Sequence, residues 1–310
     1  NKIFTPINLP MKRFLKIIAA LVAVLAAVYF LGPKPAAPNY NNNLIQVPSD
    51  PAALEAFIRS KEAAHKVKPD NEARIVWAND STKAKTPYVI VYLHGFSASQ
   101  EEGNPVHRNI AKQFGCNMYL ARLSEHGIDT IDPLVNMTAT SLWESAKEAY
   151  AIGKQLGDKV ILMGTSTGGT VALELASNFE DVAGLVLYSP NIAINNPSAF
   201  LSNNPWGLQI ARMVIGGKEN IIKNKPDNYK KYWNDHYRLE AVVELQELLE
   251  TTMIPSHFNK IKCPLLTLYY YKDEKNQDPV VKVSAMKEMF DAVATPANLK
   301  RMIPIPEAGN

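Results

Sequence analysis

A serine flanked by glycines, in Gly164-Thr165-Ser166-Thr167-Gly168, follows the apolar run Val160-Ile161-Leu162-Met163 and precedes the helix-forming Thr170-Val171-Ala172-Leu173-Glu174-Leu175-Ala176. A strand that turns sharply into a helix lifts a serine hydroxyl to its apex, and the crowded turn demands small neighbours. Such a serine can attack an acyl carbon. The competing explanation is a glycine-rich turn that packs a helix on a sheet or cradles a phosphate. No Lys-Ser or Lys-Thr pair follows the glycines and the spacing is not Gly-x-Gly-x-x-Gly, so phosphate binding loses its support.

Acyl transfer needs two backbone N–H groups aimed at the developing oxyanion, one from the residue after the nucleophile and one from the loop after an earlier strand. Tyr88-Val89-Ile90-Val91-Tyr92-Leu93 is a β-branched and aromatic run that reads as a buried strand, and it leads into His94-Gly95-Phe96-Ser97. Phe96 and Thr167 are therefore the candidate oxyanion donors. Gly95, where the lack of a Cβ lets the backbone approach a ligand closely, and Ser97 in the same loop are candidate substrate contacts. His94 is expected to be a packed, hydrogen-bonded loop histidine, not a base.

These two segments, with Gln277-Asp278-Pro279-Val280-Val281, resemble the α/β-hydrolase family from about Ala73 onward, and most of all its carboxylesterases and monoglyceride-lipase-like enzymes. The resemblance implies an α/β fold, a mostly parallel sheet flanked by helices with a helical cap insertion. It also implies a serine hydrolase that cleaves carboxylic esters through an acyl-enzyme, with no cofactor. The family order is nucleophile, acid, histidine. The acid precedes a Pro-Val-Val-like run, which favours Asp278 over Asp273 in the loop after the strand Cys263-Pro264-Leu265-Leu266-Thr267-Leu268-Tyr269-Tyr270-Tyr271. Either carboxylate could instead be an ordinary solvated loop residue.

The base departs from the family pattern. His65, His94, His107, His126, His236 and His257 all precede Asp278, whereas the family histidine is expected after the last strand, 299–306, just beyond Asn310. Truncation ahead of that histidine is the expected explanation. The alternative explanation is a non-catalytic hydrolase-fold binding protein without a working triad; the alternative activities on the same serine are acyl transfer and peptide cleavage.

With 310 residues and 46% hydrophobic content, the chain can bury a large core, and the length fits one large α/β domain with an insertion. A net charge of +3 without an arginine-rich stripe gives nucleic-acid binding no support. Lys12, Arg13 and Lys16 precede the apolar run 17–31, and a helix over 14–31 would span about 27 Å. An uncleaved membrane anchor is expected, with a cleaved export signal as the alternative. The positive-inside rule then puts the catalytic domain outside the cytoplasm, in the cell envelope or periplasm. Met11 reads as a natural start. The organisation is thus 1–32 upstream residues and anchor, 33–49 a Pro/Asn-rich linker, and 50–310 the hydrolase domain, with a cap at about 191–258.

Cys116 and Cys263 head strands that are not expected to be neighbours, so two buried thiols are expected in place of a bridge. Neither His-Glu-x-x-His nor Cys-x-x-Cys occurs, and no metal role is indicated. Helices are expected at 51–66, capped near Ser49 or Asp50, and at 101–114 and 141–156, and strands at 74–77, 117–121 and 182–188. In the cap, Phe200, Trp206, Ile210, Met213 and Ile215, with Tyr229, Tyr232, Trp233 and Tyr237, either line an acyl pocket or pack the cap on the core.

Overall fold

The computed structural model describes residues 10–226 and 228–308, and the expectations touching 1–9 and 309–310 lie outside it. The N-terminal apolar run forms α1 (Met11–Phe30), none of whose residues is buried. Helix α2 (Pro51–Ala63) begins where Asp50 Oδ1 accepts the Ala53 N–H at 2.8 Å. Strands β1 (Arg74–Val76) and β2 (Thr86–Leu93) follow. The single helix expected over 101–114 is broken into a 3-10 turn, Gln100–Gly103, and α3 (Val106–Gln113). Pro105 lies between them; it has no N–H to donate and it pushes Asn104 into extended backbone.

The βα alternation continues with β3 (Asn117–Leu120), α4 (Ala139–Leu156), β4 (Gly157–Thr165), α5 (Thr167–Asn178) and β5 (Val182–Tyr188). The stretch 191–258 then holds α6 (Gly207–Ile215), β6 (Glu219–Ile221), α7 (Tyr229–Tyr232), β7 (His236–Arg238), α8 (Leu239–Thr252) and α9 (Pro255–Phe258). The cap is therefore not helical throughout, since β6 and β7 pair antiparallel within it. Last come β8 (Leu265–Tyr269), α10 (Val283–Ala292) and β9 (Lys300–Pro304).

Among the described residues, the main sheet has seven strands in the order β1-β3-β2-β4-β5-β8-β9. Only β1 runs antiparallel to its neighbour, so the sheet is mostly parallel, as the resemblance implies. Strand β2 shows why both faces must be covered. Val89, Val91 and Leu93 join the larger core with α4 and α5, while Ile90 and Tyr92 join a smaller one with Ala111 of α3. Cys116 is buried and Cys263 half-buried; both are free thiols, and three strands separate β3 from β8.

Helix α4 is the main prop of the larger core. Thr138 and Ser141 form a reciprocal capping box at its start. Its Trp143 is fully buried and donates Nε1–H to Asn41 O at 2.8 Å, tying the segment ahead of α2 to the domain. The buried Lys147 ammonium is bonded to Asn41 Oδ1 at 2.9 Å and Asn43 O at 3.0 Å. Removing the indole in Trp143→Ala empties a large core site and frees the Asn41 carbonyl. The unfolding free energy should fall by about 4 kcal/mol in urea titrations.

Candidate active site

Ser166 sits between the end of β4 and the first residue of α5 with φ 49° and ψ −115°, a left-handed conformation that costs a non-glycine residue about 1–3 kcal/mol. The strain is held by backbone bonds on both sides. Ser166 N–H donates to Tyr188 O at 2.9 Å, and Ser166 O accepts from Thr170 N at 3.1 Å and Asn191 N at 3.0 Å. Gly168 follows because a Cβ there would run into the carbonyl oxygen of Leu93. The elbow and the end of β2 are therefore in backbone contact.

The loop after β2 is locked by His94. Its buried Nε2 accepts the Leu123 N–H at 3.0 Å, so the ring proton is on Nδ1, which donates to Gly95 O at 2.9 Å. Burial, with His126 close by, holds the pKa of His94 well below the usual imidazole value. The ring is thus a neutral brace with both nitrogens engaged. In a trans peptide the C=O and the following N–H point apart, so fixing the Gly95 carbonyl turns the Phe96 N–H away from His94. Among the described residues, no protein acceptor takes the N–H of Phe96 or of Thr167.

A cavity of about 570 Å³ opens over the elbow. Ser166, Phe96, Ser97, Glu102 and Asp278 line it from the sheet side, and Tyr229, Trp233, Tyr237, Val242 and Leu245 from the cap. Gly95 and Thr167 are not among the residues that line it. Of the cap residues proposed for an acyl pocket, the tyrosines at 229 and 237 and Trp233 reach the cavity. Phe200, Trp206, Ile210, Met213 and Ile215 instead carry exposed apolar surface.

Asp278 Oδ1 accepts from Val280 N at 2.9 Å and Val281 N at 3.1 Å, which fixes the carboxylate while Oδ2 takes no bond from the described residues. Asp273 is outside the cavity and exposed, and its carboxylate closes the turn by accepting from the Lys275 and Asn276 N–H groups at 2.9 Å. The two candidate acids are separated by position. Strand β9 pairs parallel with β8, and Ile305 N–H donates to Tyr269 O at 2.8 Å, so 305–308 leave the sheet at the edge where the Asp278 loop also emerges.

None of the six histidines bonds Ser166. His107 and His126 are buried, and burial lowers each pKa to about 4; His107 Nε2 is bonded to Gln100 O and His126 Nδ1 to Ser124 O. His236 pairs with Asp235 and His257 with the buried Glu174, at 2.8 and 2.7 Å. His65 is exposed beside a different cavity, near Arg122.

Sequence reasoning missed Glu102. It lies eight positions after His94 in a segment read as the start of a helix, and nothing in that pattern shows that the chain folds back beneath Gly95. Its Oε2 accepts the Gly95 N–H at 2.6 Å, and desolvation raises its pKa from 4.5 to about 7. The fold disfavours the ionised form, so the penalty is absent below about pH 4.5, grows as pH rises and is complete above about 7. Glu102→Gln escapes it. The melting temperature of E102Q relative to wild type should rise by a few degrees between pH 5 and pH 8, by calorimetry.

A family model described as Serine aminopeptidase, S33, matches residues 139–306, which include Ser166, the cap and Asp278. The Thermostable monoacylglycerol lipase of Bacillus sp. (strain H-257) is 28% identical over 196 residues, covering 62% of this chain and 72% of the lipase. A structure reported for LipS and LipT, two metagenome-derived lipolytic enzymes, superposes with a TM-score of 0.61 and 18% identity, over 77% of this chain and 89% of that one. The monoacylglycerol lipase of Paleococcus ferrophilus superposes with a TM-score of 0.54 and 16% identity, over 76% and 88%. Both solved structures share the fold.

Proposed function

The chain belongs to the Serine aminopeptidase, S33, family of lipase- and esterase-like α/β-hydrolases, and from that premise we propose that it cleaves small-molecule carboxylic esters through an acyl-enzyme on Ser166. The observation that carries this reading is the placing of the strained Ser166, the Phe96 loop and the Asp278 carboxylate around one cavity.

Ser166 Oγ attacks the acyl carbonyl, its proton passes to an imidazole, and the carbonyl oxygen becomes an anion that accepts the Phe96 and Thr167 N–H groups. Collapse breaks the ester C–O bond, and the alcohol leaves with the proton that the imidazole returns. Water then attacks the acyl-enzyme by the same proton route and releases the acid. Since none of the six histidines within 1–310 lines the cavity over Ser166, the imidazole is assigned in this reading to a histidine following Asn310, oriented by Asp278 Oδ2. It rests on the shared sheet edge of β8 and β9.

A p-nitrophenyl ester tests this. Residues 1–310 should be nearly inert, and the chain continued through the histidine should turn over. In that active form Ser166→Ala and Asp278→Asn should each lower kcat by about 10⁴-fold or more. Equal turnover by the shorter and longer chains would sink the assignment. The family description makes an aminoacyl amide the second substrate to assay, and faster cleavage of an aminoacyl p-nitroanilide than of the ester would favour a peptidase.

The setting of the domain is membrane-proximal in this reading. Helix α1 has 20 residues, an 18-residue stretch of mean hydropathy 2.1 and no burial in the protein, and it anchors the domain outside the cytoplasm. Its end is tied to the cap. Trp206 Nε1–H donates to Val28 O and Trp206 N–H to Pro33 O, both at 2.9 Å. Helix α6, which starts at the next residue, presents Met213 and Val214, each 80% exposed. A double change of Met213 and Val214 to Asp should leave hydrolysis of a soluble short-chain ester within about twofold. The rate on the same acyl group presented in lipid vesicles should fall about tenfold, since the aspartates oppose contact with the bilayer.

A further inference from the structure

We propose that Glu102 is a positioning residue for ester cleavage: its carboxylate holds the Gly95 amide, and through it the peptide that presents the Phe96 N–H to the carbonyl oxygen. The inference rests on the ester-hydrolase reading of Ser166.

Gly95 is the hinge of the oxyanion loop, and a glycine rotates freely unless both of its peptide groups are tied. The carbonyl side is tied by His94 Nδ1–H at 2.9 Å and by the Ala98 N–H at 3.3 Å. The amide side is tied by Glu102 Oε2 at 2.6 Å, a short bond. With both ties in place, the orientation of the peptide between Gly95 and Phe96 is fixed before any substrate arrives. A side chain at position 95 could not share the space, because its Cβ would meet Glu102 Oε1 at 2.8 Å.

Glu102 is itself placed from two directions. The 3-10 turn that carries it returns its own N–H to Ser99 O at 3.1 Å. From the sheet, the Tyr92 hydroxyl points to Glu102 Oε2 at 3.5 Å and bonds Thr165 Oγ1 at 2.9 Å. A tyrosine proton directed at the carboxylate leaves Thr165 as the donor in the second bond. A polar chain then runs from Thr165, the residue before the nucleophile, through Tyr92 to Glu102 and Gly95. It links the nucleophile turn to the loop after β2 without passing through His94.

The test uses the active form of the protein and two variants. Glu102→Ala removes the acceptor; kcat for a p-nitrophenyl ester should fall about 10²-fold with KM within about twofold, as expected when one oxyanion donor is lost. Glu102→Gln keeps an acceptor oxygen but cannot carry a proton, and it should stay within about fivefold of wild type. Hydrogen exchange at the Gly95 amide should be slow in wild type and E102Q and about tenfold faster in E102A, because only there is the bond missing. If E102A does not fold, Glu102→Asp, shorter by one methylene, replaces it with the same expected direction. Unchanged kcat in E102A overturns the proposal, and so does an equal loss in E102A and E102Q, which would make the carboxylate a proton carrier. Unchanged Gly95 exchange in E102A overturns it whatever the turnover. A wild type that hydrolyses no ester removes the ester-hydrolase reading instead, and the exchange measurement still decides the role of Glu102.

Discussion

The site depends on how closely the turn after β4 can approach the end of β2. Only a residue without Cβ fits at position 168 against the Leu93 carbonyl, and this contact sets the start of α5 against the end of β2. The left-handed Ser166 is part of the same constraint, because a relaxed backbone there would carry α5 away from β2. Three backbone bonds to Tyr188, Thr170 and Asn191 hold it. Packing of α5 on the sheet supplies the rest, with the side chains of Val171, Ala172 and Leu175 fully buried.

A second layer converts that proximity into direction. Backbone contact alone says nothing about which way the Phe96 N–H points. His94 decides it from one side, and it can do so because burial keeps the ring neutral and the Leu123 N–H fixes the tautomer. The same burial that disqualifies His94 as a base therefore suits it as a brace. The Asp278 carboxylate is likewise held by backbone, with Oδ1 accepting two N–H groups and Oδ2 taking no bond from the described residues.

The parts legible in the sequence are those with strong local signals. The buried strands within 88–93 and 182–188 announced themselves by β-branched and aromatic runs, and the elbow by its glycines. The site residues Ser166, Phe96, Ser97 and Asp278 share a cavity because the ends of β2, β4 and β8 share one edge of a parallel sheet. What stayed hidden depends on tertiary return. The break at Pro105 was visible in principle as a proline inside a helical pattern. The β6 and β7 pair consists of three-residue strands whose apolar spacing does not separate them from helix. Glu102 had no signal at all, since an acidic residue at the start of a helix is what solvent exposure also selects.

Glu102 also shows how the site balances opposite demands. A carboxylate grips an amide more tightly than a neutral acceptor does, but the gripping group stands in the cavity where an oxyanion would form. Two anions at that range would repel. The desolvation that lifts the acid to about 7 relieves this conflict, because a proton can reside on Oε1 while Oε2 still accepts the Gly95 N–H. The hydrogen bonds from the Gly95 N–H and the Tyr92 hydroxyl work in the opposite direction by favouring the ionised form, and desolvation outweighs them. The loop after β2 is thus held by a neutral imidazole at the Gly95 carbonyl and by an acid with a pKa of about 7 at the Gly95 N–H. Neither brace has to carry a full charge for the Phe96 N–H to be in place.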